Sequence, residues 1–346
     1  MMRVLIIKTS SMGDIIHTLP ALTDAATAHP GIRFDWVVEE GFAEIPAWHP
    51  AVERVIPVAI RRWRNHPIKA WRSGEWDDFK QQVGDAPYDA VIDAQGLFKS
   101  AWLTRYVNGP TYGLDTKSAR EAVASKFYQH TVNVAKEQHA VERVRQLFAR
   151  VLDYPEPSVM GDAGIDRNRL PKPDTTEPYV VFCHGTTWDN KHWPELYWKT
   201  LAQRLRQEGF RVFVPWGNDT EQDRARRISA VAVGVDVLPR MGLTEIAGWL
   251  AHAAGVVAVD TGLAHLTAAL NTPSVSVYGP TNPGLSGAYG RHQRHLNSRF
   301  KCAPCMERQC HYKGENPTPD IWPPCFAELN PERVMQALRE EMAQRG

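Results

Sequence analysis

The sequence has no long hydrophobic run, which sets the first limit on its function. No stretch of about eighteen consecutive apolar residues occurs, so we expect no membrane-spanning helix. The first residues, MMRVLIIKTSSMGD, also lack the longer apolar region and small-residue cleavage site of a signal peptide. We therefore expect a cytoplasmic protein.

The chain also lacks an excess of charge of either sign. It has 40 Lys and Arg residues against 39 Asp and Glu residues, a formal net charge of +1. Proteins that bind nucleic acid usually show a clear basic excess, so no nucleic-acid partner is expected. The first glycine-containing loop does not have the G-x-G-x-x-G spacing, so a nicotinamide cofactor is not indicated either.

Cysteine is scarce, with five in 346 residues, but four lie close together near the C-terminus. Their spacing is C-x2-C-x4-C-x14-C, formed by Cys302, Cys305, Cys310 and Cys325. Four thiolates at such a spacing can hold zinc. Free thiols and disulfides are the alternatives, and a reducing cytoplasm favours free thiols. We expect no required cofactor, and a structural zinc at these cysteines stays one of the alternatives.

Length and patterning predict two domains. A chain of 346 residues is long for one hydrophobic core. Buried-strand runs alternate with amphipathic helical segments in both halves, which predicts α/β domains of the doubly wound, parallel, Rossmann-like kind. We predict one domain over 1–165, a second over 175–330 after a proline-rich connection, and a last helix over 331–346.

The stretch from Val256 to Pro283 reads as strand, tight loop, helix and strand. Asp260, Thr261 and Gly262 lie between the first strand and the helix, where parallel sheets place their ligands. The free N–H groups at a helix start attract phosphate, so Thr261 and Gly262 are candidate phosphate donors. The alternative is that Asp260 or Thr261 only caps the helix.

Two other strand-end loops carry candidate residues. Asp14 follows Gly13 after the first strand, where it is either a general base or a helix cap. Lys191 lies in TTWDNKHWP after another strand, near Thr186 and Thr187. An ammonium and two hydroxyls there suit a diphosphate leaving group, although such a lysine is more commonly a solvated surface charge.

A basic segment, RRWRNHPIKAWR, contains Arg61, Arg62 and Arg64. Charge runs of this kind are usually solvated. The alternative is that they bind a phosphorylated, anionic acceptor, to which Arg120 would contribute.

Three motifs in chain order resemble the lipopolysaccharide heptosyltransferases of glycosyltransferase family 9. They are KTSSMGDIIHTLPAL, HGTTWDNKHWPELYW, and DTGLAHLTAAL followed by PSVSVYGPT. The resemblance implies the GT-B arrangement of two Rossmann-like domains facing a cleft, with the last helix packing back toward the N-terminal domain. It also implies an inverting, metal-independent transfer of heptose from ADP-heptose to the Kdo sugar of a lipid A precursor, with peripheral contact with the inner membrane on its cytoplasmic face.

The same resemblance implies roles for individual residues. The catalytic residues would be Asp14, as base, and Lys191. The donor-binding residues would be Thr186, Thr187, Lys191, Glu221, Met241, Asp260, Thr261, Gly262, Leu263 and His265. The acceptor-binding residues would be Ser10, Ser11, Gly13, Arg61, Arg62, Arg64 and Arg120.

Three other functions remain open from the sequence. They are a different heptosyltransferase of the family, a nucleotide-sugar epimerase of similar fold, and a non-catalytic regulator that binds a sugar nucleotide. Asp14 favours an enzyme over a regulator, because a first-domain carboxylate has no role in binding the donor. The arginine segment favours an external anionic acceptor over an epimerase.

Overall fold

The computed structural model describes residues 2–316 and 318–344. The chain divides into two compact units, the first ending at Asp166 and the second beginning at Arg167. This division lies in the proline-rich stretch predicted to connect the domains.

The first unit is built on a six-stranded parallel sheet with the order β3-β2-β1-β4-β5-β6. Its strands are β1 (Arg3–Ile7), β2 (Arg33–Glu39), β3 (Val52–Val58), β4 (Ala90–Asp93), β5 (Thr111–Leu114) and β6 (His130–Val132). Its helices are α1 (Met12–Ile16), α2 (Leu19–Ala28), α3 (Glu44–Ala47), α4 (Ile60–Asn65), α5 (Pro67–Arg72), α6 (Glu75–Gly84), α7 (Phe98–Ala101) and α8 (Ala140–Val151).

The second unit has a parallel sheet of the same size, with the order β12-β11-β10-β7-β8-β9. Its strands are β7 (Tyr179–Cys183), β8 (Arg211–Val214), β9 (Val235–Val237), β10 (Gly255–Val259), β11 (Ser274–Tyr278) and β12 (Gln293–Asn297). Its helices are α9 (Glu195–Gln207), α10 (Asp219–Ser229), α11 (Leu243–His252), α12 (Gly262–Ala269), α13 (Pro283–Ser286) and α14 (Pro331–Ala343). Two α/β sheets of this kind confirm the predicted fold class.

The strand orders locate one crevice in each unit. In the first unit the chain runs outward from β1 through β2 to β3, and then returns to place β4 on the other side of β1. In the second unit β7, β8 and β9 run one way, and β10 lies on the other side of β7. Ligands of such sheets bind at this reversal, beyond the carboxyl ends of the strands. The loops after β1 and β4, and after β7 and β10, are therefore the candidate sites.

Burial on both faces explains the near-continuous apolar runs of the central strands. Val4, Leu5, Ile6 and Ile7 of β1 are fully buried, as are the four residues from Val256 to Val259 in β10. Strands covered by helices on both faces need apolar side chains at consecutive positions rather than at alternate ones.

Proline and asparagine set the helix boundaries near both sites. The sequence pattern predicts one helix from Ile15 to Ala28, but the structure divides this stretch into α1 and α2. Pro20 lies in the first turn of α2, where a missing N–H costs nothing. Asn271 has a left-handed φ of 52° just after α12, which ends the helix before Pro273.

The last helix, α14, contributes to the core of the second unit. Val334, Met335 and Leu338 are buried there, and α14 packs on α9 and on the strands β10, β11 and β12. Its packing toward the first domain stays a prediction.

Candidate active site

The loop between β1 and α1 places Asp14 in the first turn of a helix. Its Oδ2 accepts hydrogen bonds from the Ser11 N–H at 2.9 Å and from the Ser11 hydroxyl at 3.1 Å. These bonds cap the start of α1, as the capping interpretation expects. They also fix the orientation of the carboxylate, and a general base needs such a fixed orientation as well.

The charges around Asp14 keep its carboxylate ionised. Burial raises the pKa of Asp14, but the positive charge of Lys8, the Ser11 hydrogen bonds and the charge of Arg120 outweigh burial and leave this pKa below its usual value. Asp14 is therefore a carboxylate at neutral pH, the form that accepts a proton.

Lys8 supplies its charge from a buried position at the end of β1. Its Nζ donates to the Ala94 carbonyl at 2.8 Å. Burial lowers the pKa of Lys8, while Asp14 and Asp93 raise it and Arg120 and Arg143 lower it further. Lys8 thus interacts with two carboxylates, Asp14 in the first turn of α1 and Asp93, the last residue of β4.

Gln95, which sequence reasoning missed, holds the Asp14 loop in place. Its Oε1 accepts hydrogen bonds from the Thr9 N–H at 2.7 Å and from the Thr9 hydroxyl at 2.8 Å. Its Nε2 donates to the Ser10 carbonyl at 2.7 Å. The sequence shows that Gln95 closely follows β4. This position indicates a contact with the Asp14 loop only when β4 is known to lie beside β1.

The three arginines of α4 have different surroundings. Arg62 forms ion pairs with Glu40 at 2.9 Å and Glu75 at 2.8 Å, which tie α4 to neighbouring segments. The Arg61 N–H donates to Glu39, and the Arg61 guanidinium lies over the Phe42 ring. All three arginines are exposed, but the Arg62 charge is already paired with two carboxylates, so Arg61 and Arg64 are better placed to meet an anion.

Lys99 is a second residue that the sequence analysis missed. Its Nζ donates to the Ser10 hydroxyl at 3.0 Å, next to the Asp14 loop. Burial lowers the pKa of Lys99, and the charges of Arg61, Arg64 and Arg120 lower it further. Three of the four predicted acceptor arginines therefore act on one cation beside Ser10. Gly13 lies nearby in the first turn of α1.

In the second unit, Lys191 and Asp260 meet from the loops that follow β7 and β10. Their Nζ and Oδ2 atoms lie 2.7 Å apart, and both side chains are mostly buried. Lys191 also lies over the Trp188 ring, 4.1 Å from its centroid. The ammonium is thus oriented from two sides at the switch point of the sheet.

Threonine hydroxyls complete this cluster. Thr186 donates to the Asp260 carbonyl at 3.0 Å, and Thr281 donates to Asp260 Oδ2 at 2.8 Å. Thr187 is exposed next to Thr186. Thr281 belongs to the third sequence motif, where no role was predicted for it. Its hydrogen bond to Asp260 helps to orient this carboxylate.

The start of α12 adjoins the same carboxylate. Thr261 is the N-cap residue in an extended conformation, with no side-chain capping bond, and Gly262 and Leu263 begin the helix. His265 is buried one turn later. Of the two predicted alternatives at Thr261, the side-chain cap is not formed, and the first N–H groups of the helix remain candidate phosphate donors.

Glu221 lies beside the β7 loop. Its Oε2 accepts from the Gly217 N–H at 2.8 Å. A Cβ atom at Gly185 would lie 2.6 Å from the Glu221 carboxyl carbon, so the two segments are in close contact. Met241 lies in the segment between β9 and α11, half buried.

Two further observations bear on cofactors and membranes. Among the described residues, no group of three or more His, Cys, Asp or Glu side chains is already arranged to hold a metal ion. Within residues 2–316 and 318–344, no helix is both long enough and apolar enough to cross a bilayer.

Comparison with known proteins adds independent information. Residues 76–315 match the model of glycosyltransferase family 9 (heptosyltransferase). Lipopolysaccharide heptosyltransferase 1 of Pseudomonas aeruginosa is 58% identical over 344 residues, which cover 97% of each chain.

Solved structures agree with this match. Escherichia coli heptosyltransferase WaaC with ADP superposes with a TM-score of 0.87 at 48% identity, covering 98% of this chain and 100% of that one. The E. coli heptosyltransferase WaaC structure with ADP-2-deoxy-2-fluoro heptose gives a TM-score of 0.80 at 51% identity, covering 88% and 97%.

Proposed function

The chain belongs to glycosyltransferase family 9, the heptosyltransferase family, and we propose that it is a type 1 lipopolysaccharide heptosyltransferase. It transfers heptose from ADP-heptose to the Kdo sugar of a lipid A precursor during assembly of the lipopolysaccharide inner core. The observation that carries this proposal is the 58% identity to such an enzyme over 97% of both chains.

Asp14 is the general base of the proposed reaction. The acceptor hydroxyl passes its proton to the Asp14 carboxylate as its oxygen bonds to the anomeric carbon of heptose. The bond from that carbon to the diphosphate oxygen breaks, and ADP leaves with the electron pair. One displacement of this kind inverts the anomeric configuration. The lowered pKa of Asp14 and its fixed orientation on Ser11 support the assignment.

Lys191 and the start of α12 stabilise the departing diphosphate. The ammonium offers a full positive charge, and the N–H groups of Thr261 to Leu263 offer hydrogen bonds and the positive end of the helix dipole. Lys191 would exchange part of its pairing with Asp260 for the phosphate oxygens. The threonines, Glu221, Met241 and His265 complete the proposed donor site.

Cations of the first unit bind the acceptor. Arg61, Arg64 and Arg120 are exposed, and with Lys99 they bring positive charge to the Ser10 side of the loop. Phosphate and carboxylate groups of a Kdo-bearing lipid A precursor have the complementary charge. Ser10, Ser11 and Gly13 shape the same site.

The protein is proposed to act on the cytoplasmic face of the inner membrane, in peripheral contact with it. The supporting feature is α5, where Ile68 is 71% exposed between exposed basic residues, including Lys69 and Arg72. An apolar side chain flanked by cations suits the interface of an anionic bilayer. Co-sedimentation with vesicles of anionic phospholipid tests this part of the proposal.

Acceptor-dependent release of ADP tests the function itself. Purified protein with ADP-heptose should release ADP only when Kdo-lipid A is added. A heptose epimer formed without acceptor would instead indicate the epimerase alternative, and binding of ADP-heptose without any turnover would indicate the regulator.

A further inference from the structure

Four of the five cysteines meet at one small cavity in the second unit. The cavity has a volume of about 20 Å³. Its walls are formed by Asn190, Gly279, Pro280, Cys302, Ala303, Cys305, Cys310, Pro323, Pro324 and Cys325. The fifth cysteine, Cys183, is buried in β7.

The size and lining of this cavity suit a single atom or ion. About 10–15 Å³ of such space is enough for one water molecule, so the cavity admits nothing much larger. A buried water needs two to four polar partners, and the walls offer mainly thiols, prolines and glycine. The side-chain oxygen of Asn190, one of the lining residues, is buried and has no hydrogen-bond partner among the described residues.

From the spacing of these cysteines and their shared cavity, we propose that Cys302, Cys305, Cys310 and Cys325 bind one thiophilic divalent cation, Zn²⁺ or Fe²⁺. Four thiolates in a tetrahedral arrangement are the ligand set that selects these metals. Each thiol releases its proton to solvent as its sulfur bonds to the cation.

Metal binding would require small side-chain movements. The thiols are not already in a ligand arrangement in the described part of the chain. Cys302 and Cys305 are exposed, so a cation can reach them from solution, and their side chains would have to turn toward the cavity to bind it. Metal binding and the arrangement of these four side chains are therefore coupled.

The cation would also fix a loop that contacts the proposed donor site. The Met306 N–H donates to the Pro280 carbonyl at 2.8 Å, and Asn190 Nδ2 donates to the Glu307 carbonyl at 2.7 Å. The Arg308 guanidinium lies 5.6 Å from the Trp188 ring centroid. Asn190 precedes Lys191 in the chain, and the Lys191 ammonium lies over the Trp188 ring. The metal would therefore restrict the motion of the loop that carries Lys191. This consequence, unlike the metal site itself, rests on the proposed function.

Metal analysis of the full-length protein tests the site. Protein purified without chelator should contain about one Zn or Fe per chain, as expected for one tetrathiolate site. The Cys302→Ser/Cys305→Ser double variant should lose this metal, whereas the matched Cys183→Ala variant should keep it. Metal content below a tenth of stoichiometric in wild-type protein, or equal content in the double variant, would overturn the proposal.

Cobalt substitution tests the wild-type chain directly, so a variant that fails to fold does not decide the result. Chelator-treated, reduced protein titrated with Co²⁺ should develop the intense absorption of tetrahedral cobalt thiolate at one equivalent. No such absorption, in a sample whose five cysteines are all counted as free thiols after denaturation, would contradict the site.

Hydrogen exchange separates the loop effect from catalysis. Backbone amides over 186–191 should exchange more slowly in Zn²⁺-loaded protein than in chelated protein. Equal exchange in the two samples would refute the coupling to the donor loop, whatever the enzymatic activity proves to be.

Discussion

Asp14 illustrates how one side chain serves both the fold and the proposed reaction. Its Oδ2 caps α1 through Ser11, and the same bonds aim a carboxylate from the end of β1. Asp14→Asn keeps the size and part of the capping capacity but removes the base. We expect kcat to fall by about 10²–10⁴-fold, the usual contribution of general base catalysis, with donor affinity changed only a few-fold.

A cap variant elsewhere provides the control for Asp14→Asn. Asn330 accepts the Arg333 N–H at the start of α14, so Asn330→Ala should lower stability by about 1 kcal/mol and leave kcat unchanged. Near-normal turnover of Asp14→Asn would remove Asp14 from the role of base.

Lys8 sets the pH range in which Asp14 works. Its positive charge lowers the pKa of Asp14, so Lys8→Met removes that effect and the pKa rises. The base is then protonated at higher pH, and the acidic limb of the kcat/KM profile should move upward by about one pH unit. Lys80→Met, at a surface pair with Asp77, should leave the profile in place. An unmoved limb in Lys8→Met would show that Lys8 does not tune the base.

Lys191 should affect the donor in both binding and turnover. Lys191→Met removes the cation proposed to face the diphosphate, so KM for ADP-heptose should rise and kcat should fall by about 10²-fold. Steady-state kinetics measures both values. Lys199→Met, which breaks a half-buried pair with Glu195 on α9, should change neither. Unaltered constants in Lys191→Met would place Lys191 outside the site.

At the scale of elements, close backbone approaches determine where helices pack. A Cβ atom at Gly248 in α11 would lie 2.1 Å from the Pro171 carbonyl oxygen. Backbone atoms cannot rotate away as a side chain does, so Gly248→Ala should lower the free energy of unfolding by about 1–3 kcal/mol, measured by urea denaturation. Gly41→Ala is the control, because a Cβ atom there would meet no atom of the described residues within 4 Å apart from its chain neighbours. Equal urea midpoints for Gly248→Ala and wild type would contradict this packing argument.

Elements with a strong hydrophobic pattern could be predicted from the sequence, and elements with a weak pattern could not. The βαβ unit from β10 to β11 was predicted with its loop and helix because apolar strands and a periodic helix alternate there. The strands β5, β6 and β12 were not predicted, because TYGL and HTV are short and QRHLN is largely polar. Their strand pairing comes from neighbours in the sheet rather than from local propensity.

The residues of the candidate site divide in the same way, into those that could be predicted from the sequence and those that could not. Residues at strand ends, such as Asp14 and Asp260, could be predicted because the carboxyl end of a strand is visible in the sequence. Gln95 and Lys99 could not, since their contacts with Ser10 depend on β4 lying beside β1. The pairing of Lys191 with Asp260 likewise requires the neighbouring positions of β7 and β10.

At the scale of the whole molecule, two similar sheets carry different chemistry at equivalent positions. Each has its reversal of strand order beside its first strand, β1 or β7. The first presents a carboxylate with cations around it, and the second presents an ammonium with a helix start. A carboxylate suits proton removal from an acceptor, and the cationic set suits a diphosphate leaving group. We therefore propose that the molecule as a whole transfers a heptosyl group from ADP-heptose to an anionic acceptor.

Mass spectrometry of the acceptor lipid tests that claim most directly. Kdo-lipid A incubated with ADP-heptose and the wild-type protein should gain the mass of one heptosyl residue, and the Asp14→Asn variant should add it at least about 100-fold more slowly. Wild-type protein that consumes ADP-heptose while the lipid keeps its original mass, with free heptose or an epimerised donor as the product, would contradict the account.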